Sequence, residues 1–246
     1  MQDLSTWTYH YDTQENGQPM RSNLVYTALI NPERTQMCME FIRHPEYHNK
    51  DVENERWTDS MLEERFRREI KFHTLAKSLG IPTLDILDID YPNRRIFIEW
   101  FDNDFYSLGQ RAGSYDKLLP GWDEQWLNIM STLWNNNMYK ISLHPNSFAI
   151  KNNKLVAFNW FFTFNGDEQP LTLKELSAQI STERMDKLQP VMDMYDVTVD
   201  TLIPVATLQA IALTVFKSNY PHNLMDNAKT LLDESLESKY LDPESL

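Results

Sequence analysis

The chain is poor in the residues that most directly advertise a chemistry. It has one cysteine, Cys38, so no internal disulfide can form, and a reducing, intracellular setting, the cytoplasm, is expected. It has six glycines, at 17, 80, 109, 113, 121 and 166, and their spacing allows neither a G-x-G-x-x-G fingerprint nor a Walker loop. Positive charge is also scarce. With 23 basic against 36 acidic residues the net charge is −13, which disfavours phosphate backbones and anionic lipid, so neither nucleic acid nor a membrane is expected as a partner. The one dense basic run, "EERFRREIK", alternates with acids and reads as a solvated helix face. The apolar runs "LVAFNWFFTF" and "IPVATLQAIALTVF" fall short of the roughly 20 residues that cross a bilayer. The first residues, "MQDLSTWTYHYD", lack the basic flank and apolar middle of a signal peptide.

What is present is a real core, with an apolar fraction of 41%, and a change of pattern along the chain. The first hundred residues carry strand signals: "TWTYHYD" and "TQMCMEFI" alternate, "NLVYTALI" is β-branched and apolar, and "ENGQ" and "NPER" supply turn chemistry. A helix is expected over 60–79, with Ser60 and Glu63 as its capping box and Leu62, Phe66, Ile70, Phe72, Leu75, Ala76 and Leu79 as its apolar stripe. Gly80 and Pro82 stop it. Two further strands, "TLDILDID" and "RRIFIEWF", follow. Beyond them "WDEQWLNIMSTLWNNN" is an amphipathic helix, and from Leu171 onward the pattern reads as almost entirely helical, with Thr172 and Glu175 as another capping box. Strands in front and helices behind imply an α+β protein of two lobes.

Three strands, a helix, two strands and then a helical part containing "SFAIKNNKLVAF" resembles the protein-kinase-like fold, in particular its branch of small-molecule and aminoglycoside phosphotransferases. The segment "WLNIMSTLWNNNMYKISLHPNSFAIKNNKLVAFNWF" is similar in order and length to that branch's long helix, H-G-D-x-H-P-x-N loop, short hairpin and D-F-G-like stretch. The resemblance implies an N-lobe over 1–101, with a five-stranded antiparallel sheet and one helix. It implies a mostly helical C-lobe over 102–246, with a short β-hairpin near 147–160.

Carried over position by position, the resemblance implies lost chemistry. The phosphate-binding lysine position falls on Glu40, whose helix partner is Glu69; in an alternative register Arg43 takes the lysine slot. The catalytic aspartate position falls on Ser142, the metal-binding asparagine on Ser147 and the metal-chelating aspartate on Asn159. Gly17 is all that remains of the glycine loop. Glu99, Trp100 and Phe101 match the hinge. The implied reading is a catalytically inactive, pseudokinase-like protein that works as a binding or scaffolding module, with a protein partner and with no catalytic residue, metal or cofactor. The alternative is an active small-molecule phosphotransferase, or another enzyme, using re-sited residues in the interlobe cleft. Asp102, Asp104 and Asp167 are the candidate cleft acids, with His144 as a loop histidine. His44 and His48 bracket Pro45 and read as a solvated loop rather than a metal pair. Phe158, Trp160, Phe161, Phe162 and Phe164 form a dense aromatic run, either core or patch. Alternation in an extended chain would place Trp160, Phe162 and Phe164 on one side of it.

Overall fold

The computed structural model describes residues 3–9, 12–13, 19–20, 27–42, 58–100, 105–173, 189–190, 192–194, 196–220 and 223–240. Gly17, Arg43, His44, His48, Phe101, Asp102, Asp104 and Glu175 lie outside them. The chain divides into two compact units, one of residues 1–71 and 84–103 and the other of residues 72–83 and 104–246. The segment 72–83 therefore groups with the helical unit and not with the strands around it. Part of the reason is that Ala157 N donates to the Pro82 carbonyl at 2.9 Å, and Thr83 bridges Ala157 in parallel.

In the first unit, strands β1 (Thr8–Tyr9), β4 (Thr27–Ile30), β5 (Gln36–Glu40), β6 (Ile86–Asp90) and β7 (Arg95–Glu99) form one antiparallel sheet in the order β1-β4-β5-β7-β6. Strands β2 (Asp12–Thr13) and β3 (Pro19–Met20) pair separately. Local chemistry fixes the turns. Between β4 and β5, Asn31 Oδ1 accepts from the amides of Thr35 and Gln36, both at 2.8 Å, while Arg34 takes the left-handed conformation. Between β6 and β7, Asp90 accepts from Asn93 N and Arg94 is left-handed. Alternation buries Leu29, Cys38 and Phe97 in one cluster, against which Leu4 and Trp7 pack, with the Trp7 and Phe97 rings edge to face at 5.7 Å.

Helix α1 (Asp59–Ser78) begins one residue before the expected start. Its cap is Thr58, whose hydroxyl accepts from Met61 N at 3.3 Å, so Ser60 lies inside the first turn and no Ser60–Glu63 box forms. Leu62, Phe66, Phe72 and Ala76 are buried as the stripe requires, but Arg65, Glu69 and His73 are buried with them and Leu75 is exposed. The basic face is laced to acids one turn away, Arg67 to Glu63 at 2.6 Å and Arg68 to Glu64 at 2.9 Å.

The second unit contains α2 (Phe105–Ala112), α3 (Tyr115–Leu118), α4 (Trp122–Asn135), α5 (Val205–Val215) and α6 (Leu224–Tyr240). Helix α4 buries Trp122, Trp126, Ile129, Met130, Leu133 and Trp134, spaced at three and four residues on one face. Strands β9 (Phe148–Lys151) and β10 (Lys154–Ala157) form a hairpin, tied to α4 where Leu155 N donates to Gln125 Oε1 at 2.8 Å. Strands β8 (Met138–Lys140) and β11 (Thr163–Asn165) pair with each other. The region after Leu171 is not wholly helical: β12 (Leu171–Thr172) pairs with β13 (Leu202–Ile203), which places Thr172 in a strand. Among the described residues no helix is long and apolar enough to cross a membrane.

Cys38 is fully buried at the centre of the sheet, and burial pushes its thiol far above the ordinary range, with the Glu40 carboxylate adding to the effect. A thiol-reactive dye should leave the native protein unlabelled and react at the rate at which the sheet opens. Rapid labelling without denaturant would contradict this packing.

Candidate functional site

The loop Ile141–Ser147 is built into the second unit from both of its ends. Strand β8 feeds it, Ile141 N donates to the Phe162 carbonyl at 2.8 Å, and at the far end Phe158 N donates to the Ser147 carbonyl at 3.0 Å. Leu143 and Phe148 are fully buried and anchor it, while Pro145–Ser147 forms a single 3-10 turn. His144 caps that turn: its Nδ1 accepts from Asn146 N at 3.1 Å, and its ring packs 4.9 Å from Tyr106 and 6.2 Å from Phe216. Tyr220 donates its phenol hydrogen to the Leu143 carbonyl, and burial holds that phenol well above its usual range.

Ser142 and Ser147 are brought together, their hydroxyls 2.8 Å apart. One hydroxyl donates and the other accepts. The His144 Nδ1 is committed to Asn146, so this ring nitrogen is not available to take a proton from Ser142.

The decisive group is one that the motif comparison passes over. Lys140 occupies the first position of the H-G-D frame and is completely buried. Its ammonium donates to the carbonyls of Phe158 at 2.8 Å and Asn159 at 2.5 Å and lies 4.8 Å from the centre of the Trp160 ring. Two charge-assisted bonds at about 1.5–3 kcal/mol each, and a desolvated cation–π contact of about 2 kcal/mol, offset a desolvation cost of several kcal/mol. The net is small, so the ammonium serves geometry more than overall stability. It fixes Asn159, which holds a left-handed backbone with φ of 60°, at the start of the Trp160–Phe162 3-10 turn. The one sequence signal was a lysine set between the apolar Tyr139 and Ile141.

The aromatic run is core. Trp160, Phe161, Phe162 and Phe164 are buried, as is Phe158, and residues 160–162 form a 3-10 turn instead of the extended chain expected, so the run presents no exposed patch. The turn lies between the carbonyls of Phe158 and Asn159 that Lys140 holds and strand β11.

In the first unit, Glu40 is buried at the end of β5 opposite Arg95 on β7. Arg95 grips it through Nε at 2.7 Å and Nη2 at 2.6 Å, with Asp90 3.9 Å from the same guanidinium. Both nitrogens converge on one carboxylate oxygen, Oε1, so the residue at the lysine position is one half of a charge-assisted ion pair within the sheet. Glu69 is buried on α1 and, bearing the same charge, cannot form the family's ion pair with Glu40. Glu99 ends β7 and accepts from Asp85 N at 2.9 Å, and Trp100 after it is buried. Asp167 is exposed and accepts from Asn137 Nδ2 at 3.1 Å in the turn after β11. Of the proposed re-sited residues, His144 and Asp167 each hold a local hydrogen bond in a turn of the second unit. Among the described residues no group of three or more His, Cys, Asp or Glu could hold a metal.

The kinase-like family implies Mg²⁺ and a nucleotide, and these residues do not fit them. Ser147 and Asn159 offer neutral oxygens where a hard cation prefers carboxylates. A divalent ion bound by Asn159 would also face the Lys140 ammonium; at about 6 Å and an effective dielectric of about 20, two charges against one repel by on the order of 5 kcal/mol.

The element order, with a helix after the third strand of the five-stranded sheet and then a helical unit carrying loop and hairpin, is the order that the resemblance to the protein-kinase-like fold implies. No family model matches the chain, and no curated protein matches it. Among solved structures it is similar to the bifunctional kinase-methyltransferase WbdD, at 12% identity and a TM-score of 0.46 over 93% of this chain and 46% of that one. It is also similar to the Rio2 kinase of Chaetomium thermophilum, solved as an ADP/Mg²⁺-phosphoaspartate complex, at 8% identity and a TM-score of 0.42 over 93% and 72%. A third is Cex1p, at 13% identity and a TM-score of 0.43 over 98% and 42%. The chain spans about half the length of the WbdD chains it matches.

Lys140→Met keeps the length and removes the charge but leaves two buried carbonyls without their donor. It should lower stability by about 2–4 kcal/mol in urea denaturation; a loss below about 0.5 kcal/mol would show that the clamp is dispensable. Glu40→Lys, which writes the family's residue back, should destabilise by about 3 kcal/mol because it sets two cations against each other beside Asp90. A stable Glu40→Lys protein would mean that Arg95 does not depend on Glu40.

Proposed function

We propose that the chain is a catalytically inactive kinase-like module that acts by binding a protein partner. The observation that carries the reading is the Lys140 ammonium on the Phe158 and Asn159 carbonyls, beside the closed Ser142–Ser147 hydroxyl pair. Where phosphoryl transfer needs a base and two metal ligands, this loop carries neutral, hydrogen-bonded groups and a fixed positive charge. The Glu40–Arg95 pair supports the same reading from the other unit, since the position that would neutralise phosphate is anionic and already paired. The buried thiol of the single cysteine fits a reducing, cytoplasmic setting. With chemistry removed and the frame kept, surface recognition is the role left to the fold, and a protein is the partner that suits a strongly acidic surface.

Thermal unfolding with ATP and Mg²⁺ tests this. The melting temperature should not move, whereas a ligand at about 100 times its Kd adds about 2.7 kcal/mol. A rise that needs both ATP and Mg²⁺ and disappears in Asn159→Ala would overturn the reading.

A further inference from the structure

The helical unit contains a cavity of about 700 Å³ between the end of α2, α3, the first turn of α4 and the start of α6. Two carboxylates, Asp116 and Asp123, line it, and none of the described residues lining it is a lysine or arginine. The nearby Lys217 does not supply a counter-charge, because both carboxylate oxygens of Asp226 hold it at 2.7 Å. An anionic ligand is therefore disfavoured and a cationic one favoured.

The walls are shaped in advance. Asp116 Oδ1 accepts the Trp122 indole N–H at 3.0 Å, which orients the carboxylate. Tyr115 is stacked on Phe105 at 4.5 Å and lies 5.3 Å from Trp122. It can do so because residue 109 is glycine: a Cβ there would stand 2.1 Å from the Tyr115 ring. The Tyr220 hydroxyl is committed to Leu143, so Tyr220 offers the cavity its ring only. Asn223 and Asn227, one helical turn apart, add amides that both donate and accept.

We propose that this cavity binds an arginine-bearing segment of a partner protein. The proposal rests on the binding role above and names the chemistry of the partner. A guanidinium can place its fork on a carboxylate while its plane lies on an aromatic ring, the two features this lining combines. The exposed amides of Asn223 and Asn227 suit the polar backbone of a peptide continuing past the arginine. The net charge of −13 draws a basic segment toward the surface.

Fluorescence anisotropy of the full chain with a labelled Arg-Gly-Gly-Arg peptide tests this, and the ATP–Mg²⁺ melt of the same preparation reports separately on catalytic silence. Saturable binding is expected, weakened about tenfold or more by Asp116→Asn with Asp123→Asn. Removing the same charge from exposed sites outside the cavity, Asp193→Asn with Glu237→Gln, should change it less than about twofold. Gly109→Ala, which displaces Tyr115, should also weaken it. No binding, equal losses in the two charge-removal variants, or free arginine amide binding as tightly as the peptide would each overturn the proposal. A peptide failure with an unmoved ATP melt rejects this site alone.

Discussion

The contact on which the second unit's central loop depends is the buried ammonium of Lys140 on two consecutive carbonyls. Those carbonyls belong to Phe158 and Asn159, so one side chain from β8 sets where β10 ends and where the chain turns into the Trp160–Phe162 bend. A backbone carbonyl buried without a donor costs about 1–3 kcal/mol, and a buried ammonium without acceptors costs more, so neither partner has a better alternative. The 141–147 loop and the aromatic segment are consequently one structural element. Ile141 with Phe162 and Ser147 with Phe158 close it by backbone bonds on either side of the lysine.

The same device recurs in the sheet. Glu40 is buried and would be unstable there as a lone charge, and Arg95 across the strand pair answers it with two donors. In the first unit the position that the resemblance assigns to phosphate is itself a paired charge, and in the second the carbonyl of Asn159, at the implied metal position, is held by one. Bound charges of this kind make specificity of fold more than net stability, and they leave little freedom for a ligand to recruit the same groups.

Much of this was legible before any coordinates, and what escaped did so for identifiable reasons. Strand β5 follows from period-two alternation, β4 from a β-branched apolar run, β6 and β7 from two further strand-like runs, and α1 and α4 from apolar residues at three and four spacing. That a serine and an asparagine stand at 142 and 159, where the resemblance implies acids, is read from the sequence alone, because a spaced motif needs no geometry. Lys140 escaped because its meaning is long-range: nothing local says that a lysine will meet carbonyls 18 and 19 residues on. The α1 cap went to Thr58 instead of Ser60 because two hydroxyl residues two positions apart compete for one role. Alternation sorts the aromatic run only for an extended chain and gives no sign of the 3-10 turn over Trp160–Phe162. The two-residue pairing of β12 with β13 is too short to leave a periodic signal.

The central claim is that fixed, satisfied groups stand where a metal–nucleotide complex would have to bind. Electron paramagnetic resonance of Mn²⁺ with a non-hydrolysable ATP analogue measures this directly, since Mn²⁺ substitutes for Mg²⁺ and loses its free signal when it binds protein. The signal should be the same with and without stoichiometric protein. A one-to-one loss of signal that Asn159→Ala restores would contradict the account.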